Sequence, residues 1–419
     1  MWFKISGIKD NKPTYMYYNN ITNELKDEYR TTLKFDEVQV INDKVYPFTP
    51  NDNPIRRKKD IKTLEISLGL KCNFKCEYCS QAILHQKGNE ATIDQVSKFI
   101  DMLKKYNINI TQGFQLWGGE PLVYTKILYA LIPELKKLYP NAHIGFPTNG
   151  SLLTKELVDF FAKYDVAVFV STDGSLNTDR GTSVELDPKL NEIFRYAADT
   201  LGKHFGFNTT PHAGTANAVN IIKFLLSQVP NVKNIGTRNV VRVHYKDLVP
   251  EEVFYISDDE LEEYSKSIKE VLTTEDLYKY DFSMRRHADM IMFRIASRTD
   301  MRTICGECPL TSADDMIVDL YGNIYACHTK NDKGSEIGHL SNLEETPLVG
   351  FTHWSNRPNC SKCPYLVSCS GSCSILNDEC HRLTCRNVKA VHKGMFNGIF
   401  KRWFNLDITS IEPLESIDI

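Results

Sequence analysis

Six strand-like stretches, each but the last followed by a helical pattern, run from residue 62 to about 245 and predict an α/β protein with a partial (β/α)6 TIM-like barrel. A second observation adds a module: nine of the 12 cysteines lie between residues 305 and 385. A third is the opening stretch, where short β-rich segments are separated by Asn, Asp, Lys and Gly turns. The expected organisation is a small β-rich N-terminal segment (1–60), the partial barrel (61–245), a helical bridge (246–300), a cysteine-rich C-terminal domain (301–395) and a tail (396–419).

In the N-terminal segment, Trp2–Ile5, Thr14–Tyr18 and Phe35–Ile41 have strand composition. The run Arg56-Arg57-Lys58-Lys59 follows Asn-Pro and reads as a solvated linker. Leu64–Leu68 is the first barrel strand. Thr92, with Gln95 three residues on, reads as an N-cap for a helix whose Val96, Phe99, Ile100 and Leu103 share one face. Phe114–Trp117 is followed by a helix over 125–138, His143–Phe146 by one near 155–163, and Val166–Ser171 by one near 190–201. His204–Asn208 precedes a helix over 219–228, and Val240–His244 is expected as the sixth strand. The bridge is helical over 258–272 and near 285–295, and the acidic tail after 405 is expected to be peripheral.

Apolar residues are 42% and charged residues 25%, an ordinary globular composition. Fifty Lys and Arg oppose 53 Asp and Glu, so the net charge of −3 argues against a general nucleic-acid binder. No apolar run reaches membrane-span length, and Met-Trp-Phe-Lys-Ile-Ser lacks a secretory core, so a cytoplasmic protein without a membrane partner is expected. Twelve cysteines in such a chain point to metal rather than disulfides.

Cys72, Cys76 and Cys79 form a C-x3-C-x2-C run just after the first barrel strand. Three thiolates on one loop can hold three irons of a [4Fe–4S] cluster and leave the fourth open for a ligand, whereas a zinc loop would need a fourth residue such as His85. The run resembles the signature of the radical S-adenosylmethionine (AdoMet, SAM) enzymes. That resemblance implies that AdoMet chelates the open iron and is cleaved to methionine and a 5′-deoxyadenosyl radical that abstracts hydrogen from a substrate. It also suits six barrel units rather than eight.

The second strand ends in Gly118-Gly119-Glu120-Pro121. Two glycines permit close backbone approach to a ligand, and Glu120 can accept from an ammonium group; the resemblance implies that this motif holds the AdoMet amine. Thr148-Asn149-Gly150 ends the third strand and Ser171-Thr172-Asp173-Gly174 the fourth, short polar side chains suited to ribose hydroxyls, with Ser171 the first candidate and Asp173 the second. By the same resemblance Arg180 stands where related enzymes place an Arg on the AdoMet carboxylate, although Asn-Thr-Asp-Arg departs from the usual run there. Tyr78, between two cluster cysteines, is a candidate for the adenine or a packing aromatic.

The spacing Cys305-x2-Cys308, Gly322, Cys327, then Cys360-x2-Cys363-x5-Cys369-x3-Cys373, Cys380 and Cys385 resembles the SPASM domain of auxiliary iron–sulfur clusters. The resemblance covers roughly residues 62–395 and implies three [4Fe–4S] clusters, two of them auxiliary. Auxiliary cluster I would take Cys305, Cys308, Cys327 and Cys373; auxiliary cluster II would take Cys360, Cys363, Cys369 and Cys385, with Cys380 as the alternative. Thiolates alone do not separate iron–sulfur from zinc.

SPASM proteins crosslink or oxidise ribosomal peptides, mature sulfatases or act on small molecules. Sulfatase maturases carry an Asp as base directly after the cysteine matching Cys327; this chain has His328, which could accept a proton. No other residue declares itself catalytic. The expected function is an oxidoreductase that installs a C–C, C–O or thioether crosslink in a ribosomally made precursor peptide, fed by a donor such as flavodoxin or ferredoxin. The alternatives are a dehydrogenase acting on a Ser or Cys side chain or a small alcohol, and a non-catalytic metal-binding module. Residues 1–60 could bind a leader peptide as an added strand.

Overall fold

The computed structural model describes residues 1–35, 56–81, 84, 88–174, 179–180, 183–244, 249–304, 311–329, 331, 333–348 and 352–415. Phe35–Ile41 (beyond its first residue), His85, Cys305 and Cys308 therefore lie outside the described residues.

Among the described residues the strands are β1 (Trp2–Lys9), β2 (Lys12–Asn19), β3 (Leu25–Lys26), β4 (Asp60–Ser67), β5 (Asn109–Trp117), β6 (His143–Thr148) and β7 (Val166–Thr172), followed by β8 (Phe205–Thr209), β9 (Asn234–Gly236), β10 (Asp315–Asp319), β11 (Asn323–Tyr325), β12 (Glu336–His339) and β13 (Asp407–Leu414). The helices are α1 (Ile93–Lys105), α2 (Thr125–Leu138), α3 (Lys155–Lys163), α4 (Pro188–Leu201), α5 (Ala218–Gln228) and α6 (Glu251–Phe254), then α7 (Asp258–Thr273), α8 (Glu275–Tyr278), α9 (Phe282–Ala296), α10 (Leu366–Cys369) and α11 (Asp378–Phe404).

The central sheet has nine strands in the order β12-β11-β10-β4-β5-β6-β7-β8-β9. β4 to β9 pair in parallel, as expected for successive β/α units. Alternation then divides the sheet into two faces. Leu116, Ile144, Phe146, Val168, Val170 and Phe207 are buried on the helix-covered face. Gln115, Trp117, Pro147, Phe169, Ser171 and Asn208 lie on the other face, the chamber face, which stays partly open.

Four expectations change. The sixth parallel strand is Asn234–Gly236, and Val240–His244 forms no strand. Val240, Val241 and Val243 are buried, but Val241 N–H bonds to Pro211 O at 2.9 Å and Val243 N–H to Thr384 Oγ1 at 2.9 Å, so this apolar stretch packs under α11 instead of joining the sheet. The tail is not peripheral: β13 pairs antiparallel with β1 and completes a separate sheet ordered β13-β1-β2-β3. The basic run is not all solvated, because Arg57 is buried and donates to Asp315 O at 2.7 Å. Thr92 sits at the N-cap of α1, yet its side chain makes no capping bond there.

Beyond the sequence reading, the cysteine-rich region contributes β10, which pairs in parallel with β4, so this module extends the barrel sheet directly. α11 crosses α7 closely because Gly394 has no side chain; a Cβ there would lie 2.5 Å from Ser265 O.

Candidate active site

The cysteine loop leaves β4 and is stitched to the end of β5. Leu68 N–H bonds to Trp117 O at 2.7 Å, Gly119 N–H to Gly69 O at 3.1 Å, and Glu120 N–H to Lys71 O at 2.8 Å. A Cβ on Gly119 would stand 2.5 Å from the carbonyl oxygens of Leu70 and Lys71. The glycine pair thus lets two segments of this chain meet, a role the ligand-approach argument did not include. Glu90 and Tyr124 brace the same turn: Leu70 N–H donates to Glu90 Oε1 at 3.1 Å, Tyr124 OH to Glu90 Oε2 at 2.5 Å, and Lys71 N–H to Tyr124 Oη at 2.8 Å.

Cys72, Cys76 and Cys79 are half-buried and form no disulfide. Burial, and the neighbouring thiols after it, pushes Cys76 up to about 11 and raises Cys72, while Arg180 pulls Cys76 down. Such thiols favour a state in which a metal replaces the proton. Among the described residues no three His, Cys, Asp or Glu side chains stand close enough to share one metal ion.

At the strand ends, Glu120 is 2% exposed and accepts from Leu122 N–H at 2.8 Å, Thr148 Oγ1 at 2.6 Å and Asn149 N–H at 2.6 Å. A carboxylate has about four acceptor sites, so one direction remains for a further donor. Burial raises its pKa against these bonds. Asn149 reaches the cysteine loop through Asn73 Oδ1 at 2.8 Å. Ser171 lies on the chamber face of β7 and is half-exposed. Asp173 is buried and already engaged: Tyr78 OH donates to its Oδ1, and Asp179 N–H to its Oδ2 at 3.0 Å. Arg180 Nη1 donates to Tyr78 Oη at 3.1 Å. Gly118, Gly119, Glu120, Thr148, Asn149, Asp173, Arg180 and Tyr78 are thereby tied to the loop of Cys72, Cys76 and Cys79 directly or through one another.

His212, which sequence reasoning missed, joins this group. Its Nε2 lies 3.5 Å from Asp173 Oδ2 and its Nδ1 3.1 Å from Asp179 Oδ2. No motif spacing links these residues, so only the fold could reveal them.

The opposite wall carries His328. Its ring stacks on Trp117 at 4.4 Å and 9°, and its Nδ1 lies 3.6 Å from Glu65 Oε2. Gln81 Nε2 donates to the His328 carbonyl at 2.7 Å. Glu65 is 7% exposed, and its Oε2 has no hydrogen-bond partner among the described residues. Its sequence signal was a single acid inside the apolar run Leu64–Leu68. Nearby His244 is held neutral, lowered to about 4 by burial and by Arg242 and His328.

Of the expected auxiliary ligands, Cys360, Cys363, Cys369 and Cys385 line one cavity of about 760 Å³. Burial first, then Cys385 and Cys363, raises Cys360 to about 12; burial and the other three thiols raise Cys369. Cys380 is buried on the first turn of α11 and is not among the residues lining that cavity. Cys327 follows β11, with its Sγ 3.2 Å from Thr329 Oγ1, and Cys373 precedes α11; both are half-buried.

The parallel sheet, with a three-cysteine loop and polar strand ends at one edge, suits a radical SAM barrel, and the comparisons point the same way. Residues 66–214 match the Radical SAM superfamily. The chain is 24% identical over 350 residues to the radical SAM cyclopropyl synthase TigE of Paramaledivibacter caminithermalis, covering 77% of this chain and 69% of TigE. It is 32% identical over 115 residues to the serine-type anaerobic sulfatase-maturating enzyme of Bacteroides thetaiotaomicron, covering 26% of this chain and 28% of that protein. The structure of native anSMEcpe with bound AdoMet and Cp18Cys peptide superposes with a TM-score of 0.58 at 16% identity, over 82% of this chain and 98% of that one. This protein carries a radical SAM domain, and its cysteine-rich C-terminal region fits a SPASM domain. The family implies AdoMet and a [4Fe–4S] cluster. No helix among the described residues is long and apolar enough to cross a membrane.

Proposed function

We propose that this protein modifies a ribosomally made precursor peptide, removing two hydrogens to install a C–C, C–O or thioether crosslink. The observation that carries this reading is the parallel pairing of β10 with β4, which brings the segment after Cys327, including His328, to the same chamber face as the strand-end polar residues. A substrate in that chamber would lie between the AdoMet side and the cysteine-rich module. The likeness to TigE, to a sulfatase-maturating enzyme and to a peptide-bound structure supports a peptide substrate.

Cys72, Cys76 and Cys79 would hold a [4Fe–4S] cluster, and Glu120, Thr148, Asn149, Ser171, Asp173, Tyr78 and Arg180 would shape the AdoMet site. When bound, this pair supplies one-electron cleavage of AdoMet and a radical that takes a hydrogen atom from an unactivated carbon. Trp117 orients the His328 ring by stacking, with Glu65 beside its Nδ1 and not bonded to it, which makes the imidazole the candidate acceptor for the proton released by the substrate. Cys360, Cys363, Cys369 and Cys385 would hold one auxiliary cluster, and Cys305, Cys308, Cys327 and Cys373 the other. Flavodoxin or ferredoxin would feed electrons in the cytoplasm, with no membrane or nucleic-acid partner.

The test is direct. Anaerobically reconstituted protein with dithionite should cleave AdoMet, and a peptide encoded beside its gene should lose two hydrogens for each bond formed. AdoMet cleavage with every neighbouring peptide unchanged, but with a small alcohol oxidised, would move the dehydrogenase alternative ahead.

A further inference from the structure

His212 is 2% exposed and comes from the turn after β8, where its N–H donates to Thr215 Oγ1 at 2.9 Å. The ring faces groups from three other segments. Asp173 stands at the end of β7, 3.5 Å from Nε2; Asp179 lies on the following loop, 3.1 Å from Nδ1; Tyr78, on the cysteine loop, has its ring 5.4 Å away. Arg180 completes the set through its bond to Tyr78 Oη at 3.1 Å, and Glu260 of α7 accepts from Gly214 N–H at 2.8 Å, two residues along from His212. The loop is also zipped to the cysteine loop, Glu77 N–H bonding to Asp179 O at 2.9 Å.

Charge balance decides what His212 does here. Among the described residues, Asp173 (1% exposed) and Asp179 (31%) flank the ring, and Arg180 faces Asp173 as well as Glu120 and Cys76. With neutral His212 the carboxylates leave excess negative charge in a largely buried setting, which is penalised; an imidazolium lessens it. Burial opposes the charged ring, but the nearness of Asp173 and the charges of Asp173 and Asp179 outweigh it and lift its pKa above the ordinary imidazole value.

We propose that His212 is a positioning residue of the AdoMet pocket, a buried cationic clasp that holds Asp173 and Asp179 together and so fixes Tyr78 and Arg180 against the cysteine loop. The proposal rests on the AdoMet reading of that loop. His212 need not touch the cofactor: its effect passes through Asp173 to the Tyr78 hydroxyl, and through Asp179 to the backbone of Arg180.

The experiment measures AdoMet affinity of the reconstituted holoprotein by equilibrium dialysis, and by the change AdoMet causes in the EPR spectrum of the reduced cluster, from pH 6 to pH 9. Wild-type affinity should fall in one step as pH rises through the imidazole titration. His212→Gln should bind about tenfold more weakly at low pH and lack the step that the wild type adds to the titration of the AdoMet amine itself, with iron content unchanged. Adding Asp179→Asn to His212→Gln removes the excess carboxylate and should recover part of the affinity, a rescue that a merely packed histidine would not give. Wild-type binding matched by His212→Gln in affinity and profile would overturn the proposal alone, as would a double variant no better than the single one. Wild-type protein that binds no AdoMet would overturn the cofactor reading and this proposal with it. Should His212→Gln fail to fold, His212→Asn takes its place, and a profile matching wild type is again the adverse result.

Discussion

Glu120 shows how much one side chain can tie together. Its three bonds join the ends of β5 and β6, and its remaining acceptor direction is the one available to a ligand ammonium. Glu120→Ala would leave Leu122 N–H, Asn149 N–H and the Thr148 hydroxyl without this partner, so it should lower stability by roughly 1–3 kcal/mol and weaken AdoMet binding together. Glu120→Gln keeps the shape but turns one acceptor oxygen into an NH2 that faces a backbone N–H, so it should lose AdoMet affinity and some stability, less than Glu120→Ala. Calorimetric melting beside dialysis would show this, and AdoMet affinity equal to wild type in both variants would make the motif a structural turn. Ser171→Ala, removing one neutral bond, should cost about 1 kcal/mol of AdoMet binding at most. His212 has a stability signature as well. Its folded-state pKa is raised, so its contribution is complete below the ordinary value of 6.5 and is lost as pH climbs through the raised value. The melting-temperature gap between wild type and His212→Gln should therefore shrink from pH 6 to pH 9, and a gap independent of pH would contradict an ionic role.

At the scale of elements, the loop of Cys360, Cys363 and Cys369 is held from outside by buried polar side chains. Asn20, fully buried on the turn after β2, donates to Ser361 O and Cys363 O, both at 2.9 Å. Arg294 of α9 donates to Val367 O at 2.7 Å and to Ser370 Oγ at 2.9 Å, and His287 bonds to Ser368 O at 2.9 Å. Asn20→Leu would take the donor away from the Ser361 and Cys363 carbonyls and should cost the protein one cluster, lowering iron from about twelve toward eight per chain while leaving AdoMet cleavage intact. Iron analysis with the AdoMet assay checks this, and unchanged iron would mean the loop holds its shape without the clamp. Gly394→Ala should destabilise the α7–α11 crossing by about 1–3 kcal/mol, because backbone meets the new methyl group. The periodic elements were legible in the sequence: the buried face of α1 is Val96, Phe99, Ile100 and Leu103, as its spacing implies. The misread elements share one physical cause, long-range pairing that local composition cannot encode. β9 is a three-residue strand, Asn-Ile-Gly, with little β signal, while the valine-rich 240–244 is buried by α11. β13 reads as an acidic tail until β1 lies beside it.

For the whole molecule, two sheets and a cysteine-rich module are joined by contacts far apart in the chain. β10 continues the barrel sheet, α11 packs on α7, and β13 returns to β1. The cysteine loop and the strand-end motifs were legible because each sits at a β/α junction with fixed spacing, whereas His212, Glu65 and the Trp117–His328 stack arise only when distant segments converge. That convergence makes the final prediction one about coupling between the two halves. If the cysteine-rich module receives the electron that leaves the substrate, then damaging it should not stop AdoMet cleavage, whose residues lie on the cysteine loop and strands β5 to β8. Cys327→Ala or Cys373→Ala, and separately Cys363→Ala, should keep cleaving AdoMet while product formation stops. The Cys72/Cys76/Cys79→Ala triple variant should abolish both and retain about eight irons, the content of two four-iron clusters. A precursor peptide deuterated at the candidate carbons reads the steps separately. With wild-type protein, deuterium should enter 5′-deoxyadenosine as the peptide loses two hydrogens; with the auxiliary variants, label should still transfer, or AdoMet be consumed without transfer, while no crosslink forms. Full crosslinking by Cys363→Ala protein with proven loss of that cluster would remove the cavity of Cys360, Cys363, Cys369 and Cys385 from the electron path and leave it a structural site.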